Sequence, residues 1–305
     1  MEKIKFDIMK RKFIWFAIFA LIIAVGIGSI AYQGFNLGID FTGGTILDLK
    51  FSRDVSVAEI RDVLKEYNLE NSTIQLSGEE NVQVSSSAFI RTKILEEKER
   101  ADILNSFEAK FGHVDLLRIE KVSAVIGSEL TKQALIAMVA SWFLIILYIT
   151  FRFEFKFAIA GVASLILVTV ALIGIISLLK CEVDSSFVAA LLTVIGYSIN
   201  DTIVIFDRIR ENLRTYRKSV ETMADLVNRS IWQSMTRSIY TVVTVLFATV
   251  ALYVFGGETT KNFSLIMTIG FILGALASIF LASPLWLILR EGSNKNKAQL
   301  KTNEE

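Results

Sequence analysis

Gly196-Tyr197-Ser198-Ile199-Asn200-Asp201-Thr202-Ile203-Val204-Ile205-Phe206-Asp207-Arg208-Ile209-Arg210-Glu211-Asn212 is the stretch on which the reading of this chain turns. It sets a carboxyl group, Asp201, inside an apolar segment that has the makings of a membrane span, and an ionisable group in such a place points to function. If the span, read from residue 187, stopped at Ile199, it would hold 13 residues. That is roughly 20 Å of helix against a hydrocarbon core of roughly 30 Å. The helix must run on through Phe206 to cross, which leaves Asp201 about one and a half turns from the end of the span. An ionised group facing lipid near the bilayer centre costs up to about 2.5–3.5 kcal/mol. Such a group either meets a cation or holds a proton.

Helical spacing puts Thr193, Tyr197, Asn200 and Asp201 on adjoining turns of one face, with Ser198 three residues before the carboxyl group. A polar stripe on a membrane helix faces protein or water. It can also serve only to hold helices together by hydrogen bonds. Asparagine would suffice for that purpose, whereas a desolvated carboxylic acid can load and release protons. The nearest candidate cation is Arg237, in Ser234-Met235-Thr236-Arg237-Ser238 at the entrance of the next apolar run. Its other reading is an anchor at the membrane surface. Arg208, Arg210, Arg214 and Arg217 are topological charges, matched in part by Asp207 and Glu211, and suited to anionic lipid headgroups or a partner.

Working outward, the 305 residues are 53% hydrophobic and 21% charged, with the apolar residues gathered into long uninterrupted runs. Runs of about 18 or more apolar residues read as transmembrane helices. Residues 1–12 carry five Lys/Arg against Glu2 and Asp7, and residues 13–32 carry no charge. This is a first span with a basic, cytoplasmic flank. A cleaved signal peptide is the rival reading, with Ser29-Ile30-Ala31 as cleavage site, but the apolar region exceeds the roughly 7–15 residues usual there. Residues 133–151, 157–179, 187–206, 238–255 and 263–289 give five further spans. Residues 207–237 form a polar connection with seven Lys/Arg and four acids. The N-terminus, the turn at Arg152, this connection and the tail at 290–305 fall on one side, where positive charge concentrates, so that side is the cytoplasm.

Residues 33–132 differ in kind, with 17 acidic and 12 basic residues, a net of −5, in short alternating segments. They form an external soluble domain of about one hundred residues. Strand patterns at 46–51, 72–76, 82–90 and 114–119 and helical patterns at 57–67 and 93–111 give the order β-α-β-β-α-β, a ferredoxin-like α+β arrangement. Ser56 and Glu59 make a capping box for the first helix, and Ser77-Gly78-Glu79-Glu80-Asn81 reads as a turn between two strands. Just before the first strand, Leu37-Gly38-Ile39-Asp40-Phe41-Thr42-Gly43-Gly44-Thr45 carries paired glycines. No Lys-Ser/Thr pair follows and no helix is expected to open there, so it reads as a structural turn and not as a phosphate loop. Gly270, Gly274 and Ser278 make a small-residue stripe for close helix approach, and Pro284 marks a local bend. Cys181, the single cysteine, and His113, the single histidine, belong to no ligand set or triad. No nucleotide, metal or nucleophile constellation is present, so no enzyme and no cofactor is expected.

The motif Leu37-Gly38-Ile39-Asp40-Phe41-Thr42-Gly43-Gly44, together with the stretch from Gly196 to Asn212, resembles the SecF family, the smaller subunits of the bacterial SecDF protein-export membrane complex. The likeness extends over the whole chain in length, span order and placement of the external domain. It implies a six-span half of an RND-superfamily assembly in the bacterial inner membrane, with both termini cytoplasmic. Its partners would be SecD, the SecYEG channel, unfolded preprotein and membrane lipids, with no nucleic acid. The resemblance further implies that the proton-motive force drives the work, that Asp201 is the proton-linked residue, and that Arg237 matches a functional arginine at the start of the fifth span. Gly38, Asp40, Gly43, Gly44, Gly196, Asp207 and Arg208 are then motif positions. It also implies an external domain that changes orientation. Two rival readings are half of an RND-type exporter of small molecules or lipids, and a non-transporting scaffold in which Asp201 only hydrogen-bonds.

Overall fold

The computed structural model describes residues 6–76, 83–217 and 219–292, the side chains of 258 and 259 excepted. The turn expected at 77–81 and most of the tail lie outside the described residues. In chain order, helix α1 (Lys12–Gln33) leads to strand β1 (Asn36–Leu37), a single helical turn α2 (Ile39–Thr42), strand β2 (Gly44–Ser56) and helix α3 (Val57–Lys65). Strands β3 (Thr73–Leu76) and β4 (Val84–Thr92), helix α4 (Glu97–Phe111) and strand β5 (Val114–Val122) follow. The long helices α5 (Ala124–Arg152) and α6 (Phe155–Leu178) come next. Strand β6 (Glu182–Val183), which pairs with β1, then leads to α7 (Ser185–Arg214), α8 (Met223–Phe255) and α9 (Glu258–Ala277). Helix α9 passes into a π-helical segment (Ser278–Ala282) and then returns to α-helix through residue 292. Among the described residues six helices, of 22 to 33 residues, are long and apolar enough to cross a membrane. The chain divides into two compact units, one of residues 37–135 with 183–185 and the other of the remaining residues.

The smaller unit is a four-stranded antiparallel sheet in the order β3-β4-β2-β5 with α3 and α4 packed on it. Its βαββαβ order is that of the ferredoxin-like fold. Leu47, Leu49 and Phe51 alternate along β2 and are buried with Ile60, Leu64, Ile90, Ile103, Phe107 and Phe111. The two-residue period of a strand puts them on one face. Ser56 accepts from the Glu59 N–H while Glu59 accepts from the Ser56 N–H, closing the capping box that starts α3. The Glu59 carboxyl is held below its ordinary range, first by the Ser56 N–H and hydroxyl and then by Arg53. Helix α4 begins at Glu97, four residues later than its apolar spacing suggests. The reason is tertiary: Thr45 Oγ1 takes the Leu95 N–H at 3.0 Å, and Glu99 takes the Glu96 N–H at 3.0 Å, which fixes the helix start one residue on. His113 is exposed, with Nε2 3.1 Å from Asp115 and Nδ1 3.8 Å from Glu108.

The glycine-rich stretch departs from expectation, because a turn of helix, α2, does form in it. Thr42 N–H bonds Gly38 O at 3.1 Å and Gly43 N–H bonds Ile39 O at 2.8 Å. Gly43, at φ 72°, ends the turn in a left-handed conformation that suits glycine. Four residues between two glycines are too few to carry a helical period in the sequence.

In the larger unit α6, α7 and the last span are half or more buried, while α1, α5 and α8 stay largely exposed. Helix α1 crosses α6 at two glycines: a Cβ built on Gly26 would stand 2.6 Å from the Gly174 Cα. The contact continues through Ser29 Oγ and Ser177 Oγ at 3.1 Å and through Gln33, which donates to the Ser177 carbonyl at 2.8 Å. The stripe on α9 packs against α7. A Cβ on Gly270 would meet Val194 at 2.4 Å, and one on Gly274 would overlap Ser198 Oγ. Pro284 lies just past the π-helical segment. It has no N–H for the Phe280 carbonyl and its ring crowds that turn, which accounts for the wider winding before it. The region read as the connection 207–237 is mostly helical, formed by the end of α7 and the first turns of α8. Ile8 and Met9 are buried in this unit, with Ile8 N–H donating to Asn228 Oδ1 at 2.9 Å and Trp232 Nε1 to Phe6 O at 3.0 Å.

Two outcomes follow from this packing. Gly174→Leu forces α1 off α6 and destabilises the protein by about 1–3 kcal/mol, read as a lowered melting temperature in detergent. Because the Glu59 carboxyl titrates lower in the fold than out of it, the stability it lends is present above its ordinary range near ~4.3 and is lost as pH falls through the folded value. Amide exchange at residues 57–60 therefore quickens on acidification, and Ser56→Ala gives that fast exchange already at neutral pH.

Candidate functional site

Helix α7 presents two different faces. Val194, Ser198, Asp201, Thr202 and Ile205 turn inward and are buried. Thr193, Gly196 and Asn200 are exposed on this chain, and Tyr197 is half-buried between the two. The five polar residues expected on one face are therefore split. Successive helical residues stand about 100° apart, so a stripe as wide as Ser198 to Asn200 cannot all face one neighbour. Thr193 bonds back to its own helix at Ala189 O, 2.8 Å away.

Asp201 is 5% exposed. Its Oδ1 accepts from the Ser238 hydroxyl at 2.5 Å. Its Oδ2 is buried and has no hydrogen-bond partner among the described residues. One turn earlier the Ser198 hydroxyl is likewise buried and unpartnered, set against Gly274. On the other side Thr202 Oγ1 meets Ser278 Oγ at 2.8 Å, and Ser278 donates to the Ser198 carbonyl at 3.1 Å. Ser278 is the first residue of the π-helical segment, so the irregular turn of the last span is braced directly on the helix that carries the carboxyl group. A buried carboxylate oxygen left without a donor is costly. It is relieved by a proton on that oxygen or by a donor from another chain.

Arg237 lies one residue before Ser238 on α8, forms no ion pair among the described residues and is exposed. Thr236, Tyr240 and Thr244 are exposed beside it, at helical spacing. Tyr197 links the two helices by donating to Thr241 O at 2.5 Å, with its ring 4.6 Å from that of Phe271. Further along, the buried Asn212 amide donates to Ser230 Oγ at 2.7 Å and Gln233 Oε1 at 2.9 Å, while Arg229 bonds Glu221 at 2.7 Å. Helices α7 and α8 are thus joined by polar clasps at Asn212, Asp201 and Tyr197. Asp207 and Arg208 lie outside this arrangement, exposed or half-exposed in short-range pairs with Arg210 at 3.3 Å and Glu211 at 2.7 Å.

Gly38, Asp40, Gly43 and Gly44 form their own constellation in the smaller unit, around α2. Asp40 Oδ2 accepts from the Ser185 N–H at 2.9 Å and from the Ser185 hydroxyl. Gly38 N–H donates to Val183 O at 2.8 Å. Sequence reasoning missed Ser238, the Asn212 clasp and Ser185. The spacing of Ser234, Ser238 and Thr241 along one face of α8 was the one signal that could have raised Ser238. Among the described residues no group of three or more His, Cys, Asp or Glu side chains could hold a metal ion.

Two family models match the chain: the C-terminal region of the protein export membrane protein SecD/SecF over residues 102–292, and the SecD/SecF GG motif over residues 28–55. The protein translocase subunit SecF of Acidaminococcus fermentans is 51% identical over 288 residues, which cover 94% of this chain and 98% of that one. The protein translocase subunit SecDF of Bacillus subtilis is 34% identical over 93% of this chain but only 38% of its own length. The crystal structure of SecDF from Thermus thermophilus, a translocon-associated membrane protein, superposes with a TM-score of 0.85 at 32% identity, covering 95% of this chain. This chain spans 39% of that SecDF chain. With four motif residues gathered at α2 and with these likenesses along nearly its full length, the chain belongs to the SecF family of protein translocase subunits.

Proposed function

We propose that this chain is the SecF partner of a SecD-type subunit in the bacterial inner membrane, and that Asp201 takes up and releases a proton so that the proton-motive force promotes preprotein translocation. The observation that carries this reading is the state of the Asp201 carboxyl group: buried in a span, bonded at one oxygen by Ser238 and without a partner at the other among the described residues. Proton exchange at Oδ2 changes the charge within a helix interface that already contains Ser198, Thr202 and Ser278. Desolvated charge acts strongly there, so the two protonation states favour different packings of α7.

Two further observations support a second membrane half. Relatives named SecDF are more than twice as long as this chain, which matches 38% or 39% of their length. The face formed by Thr193, Gly196 and Asn200 on α7 and by Thr236, Arg237, Tyr240 and Thr244 on α8 is exposed, although polar groups on a span belong against protein. A SecD-type half seated there would bring a neighbour to Arg237 and Asn200. On this reading the basic residues at 10–12, 152 and 208–217 face the cytoplasm and anionic headgroups, both termini are cytoplasmic, and SecYEG and the unfolded preprotein are the working partners. Neither a cofactor nor an enzymatic step is involved.

Asp201→Asn keeps the shape and one acceptor but cannot ionise. It is expected to fold and assemble with its SecD-type partner, yet reduce gradient-driven export in membrane vesicles to the level without a gradient. Normal export by that variant sinks the reading. Ser238→Ala removes one hydrogen bond to a chargeable group, worth about 1.5–3 kcal/mol, and is expected to slow gradient-driven export at least about tenfold. Recovery of an outer-membrane or lipid-export partner in place of SecYEG on copurification would favour the exporter reading.

A further inference from the structure

Two elements besides α7 wall the Asp201 carboxyl group. Helix α8 brings the Ser238 hydroxyl, and the π-helical segment brings Ser278 to Thr202 and to the Ser198 carbonyl. Away from the site, both are held by one short stretch, Phe6 to Trp15. Ile8 donates its N–H to Asn228 Oδ1 at 2.9 Å, and Phe6 O accepts from Trp232 Nε1 at 3.0 Å, both on the early turns of α8. Trp15, in the first turn of α1, stacks on Phe280 of the π-helical segment with ring centroids 4.0 Å apart. Ile8 is 1% exposed and Asn228 4%, so the bond between them belongs to the interior of the unit. The stretch is also tightly wound. Asp7 accepts from the Lys10 N–H at 3.0 Å, the Arg11 and Lys12 N–H groups bond the Ile8 and Met9 carbonyls, and the Phe6 ring stands edge-on to Trp15 at 6.2 Å. Turns that run directly into α1 leave little play between the tie at Asn228 and the stack on Phe280.

We infer that this stretch positions the proton site, and that Asn228 is the positioning residue through which it keeps Ser238 turned towards Asp201. The inference rests on Asp201 being the proton-exchanging group. Helix α8 is unbroken from Met223 to Phe255, so Asn228 and Ser238 lie on one rod, ten residues apart, about 15 Å. Successive helical residues stand about 100° apart, so a rotation of α8 at its start swings Ser238 away from Asp201 and brings Arg237 or Ile239 round towards it. Lipid provides no hydrophobic drive to restore that rotation, and polar ties and close packing must set it. Asn228 is suited to the task because the N–H it accepts belongs to a buried backbone, where no water replaces a lost partner. The stack of Trp15 on Phe280 fixes the other wall from the same stretch. A tie of stability alone would leave the hydrogen bond at Asp201 as it is. A positioning tie alters that bond when it is cut.

The test uses the full chain with its SecD-type partner in vesicles and reads two quantities. They are gradient-driven export and the infrared band of the Asp201 carboxyl group, assigned by its loss in Asp201→Asn. The frequency of that band reports the Ser238 hydrogen bond, so Ser238→Ala supplies the reference shift. Asn228→Leu keeps the size of the side chain and removes the acceptor, Trp232→Phe keeps an aromatic ring and removes the N–H, and Asn228→Asp keeps an oxygen where the acceptor stands. Asn228→Leu is expected to move the band towards its position in Ser238→Ala and to slow export about tenfold, with the double variant no slower than Ser238→Ala alone. Trp232→Phe should give a smaller shift of the same sign, and Asn228→Asp the wild-type band and export. An assembled Asn228→Leu complex with the wild-type band overturns the positioning role, whatever its export, and leaves the proton reading standing. Where that variant does not assemble, an unmoved band in Trp232→Phe has the same force. A band that never titrates in the wild type overturns the proton reading and this inference with it.

Discussion

A carboxyl group cannot rest in an apolar span as a bare ion, and the packing of the larger unit follows from that constraint. Asp201 gets one donor from α8, at Ser238, and the helix that carries it is approached on its inner face by glycines of the last span. Small residues matter here because lipid provides no hydrophobic drive between helices. Close backbone approach and interhelical hydrogen bonds must supply the attraction. Val194, Ser198 and Thr202 meet Gly270, Gly274 and Ser278 in order along that contact. The site and this close helix packing are therefore one structure.

The same constraint governed what could be read in advance. Span number and type were legible because a helix that crosses a bilayer needs a long apolar run, and that rule acts on local composition. The βαββαβ domain was legible because alternation in Leu47, Leu49 and Phe51 and the Ser56/Glu59 cap are local signals too. Asp201 stood out as a charge where none belongs. What stayed hidden depends on partners distant in sequence. Ser238 looks like any span serine until α8 is set beside α7, and Ser185 looks like a loop residue until Asp40 is folded over it. Helix α4 starts late because of a threonine fifty residues away, at Thr45. The spacing puts the polar set around Asp201 on one face, and the structure splits it into an inner half beside the carboxyl group and an outer half that is exposed.

That division gives the two faces of α7 distinct chemistry. The inner face is closed within this chain by serine and threonine hydroxyls, which can donate or accept and so tolerate either charge state of their neighbour. The outer face carries an amide, a glycine and, from α8, a guanidinium and a phenol. These groups can recognise a partner as well as seal against one. Arg237 belongs to this outer set, one position away from the residue that bonds Asp201.

The π-helical segment of the last span has a geometric effect on everything beyond it. In an unbroken α-helix Ser278 and Trp286, eight residues apart, would point about 80° away from each other. The extra residue of a π turn winds the chain back by about 100°, which brings them nearly into line. Ser278 therefore reaches α7 while Trp286 stacks on Phe157 of α6 at 4.6 Å. The irregular turn is a phase correction: it lets a single helix keep its inward side inward over a length at which an ideal one would have rotated its lower half out towards the lipid.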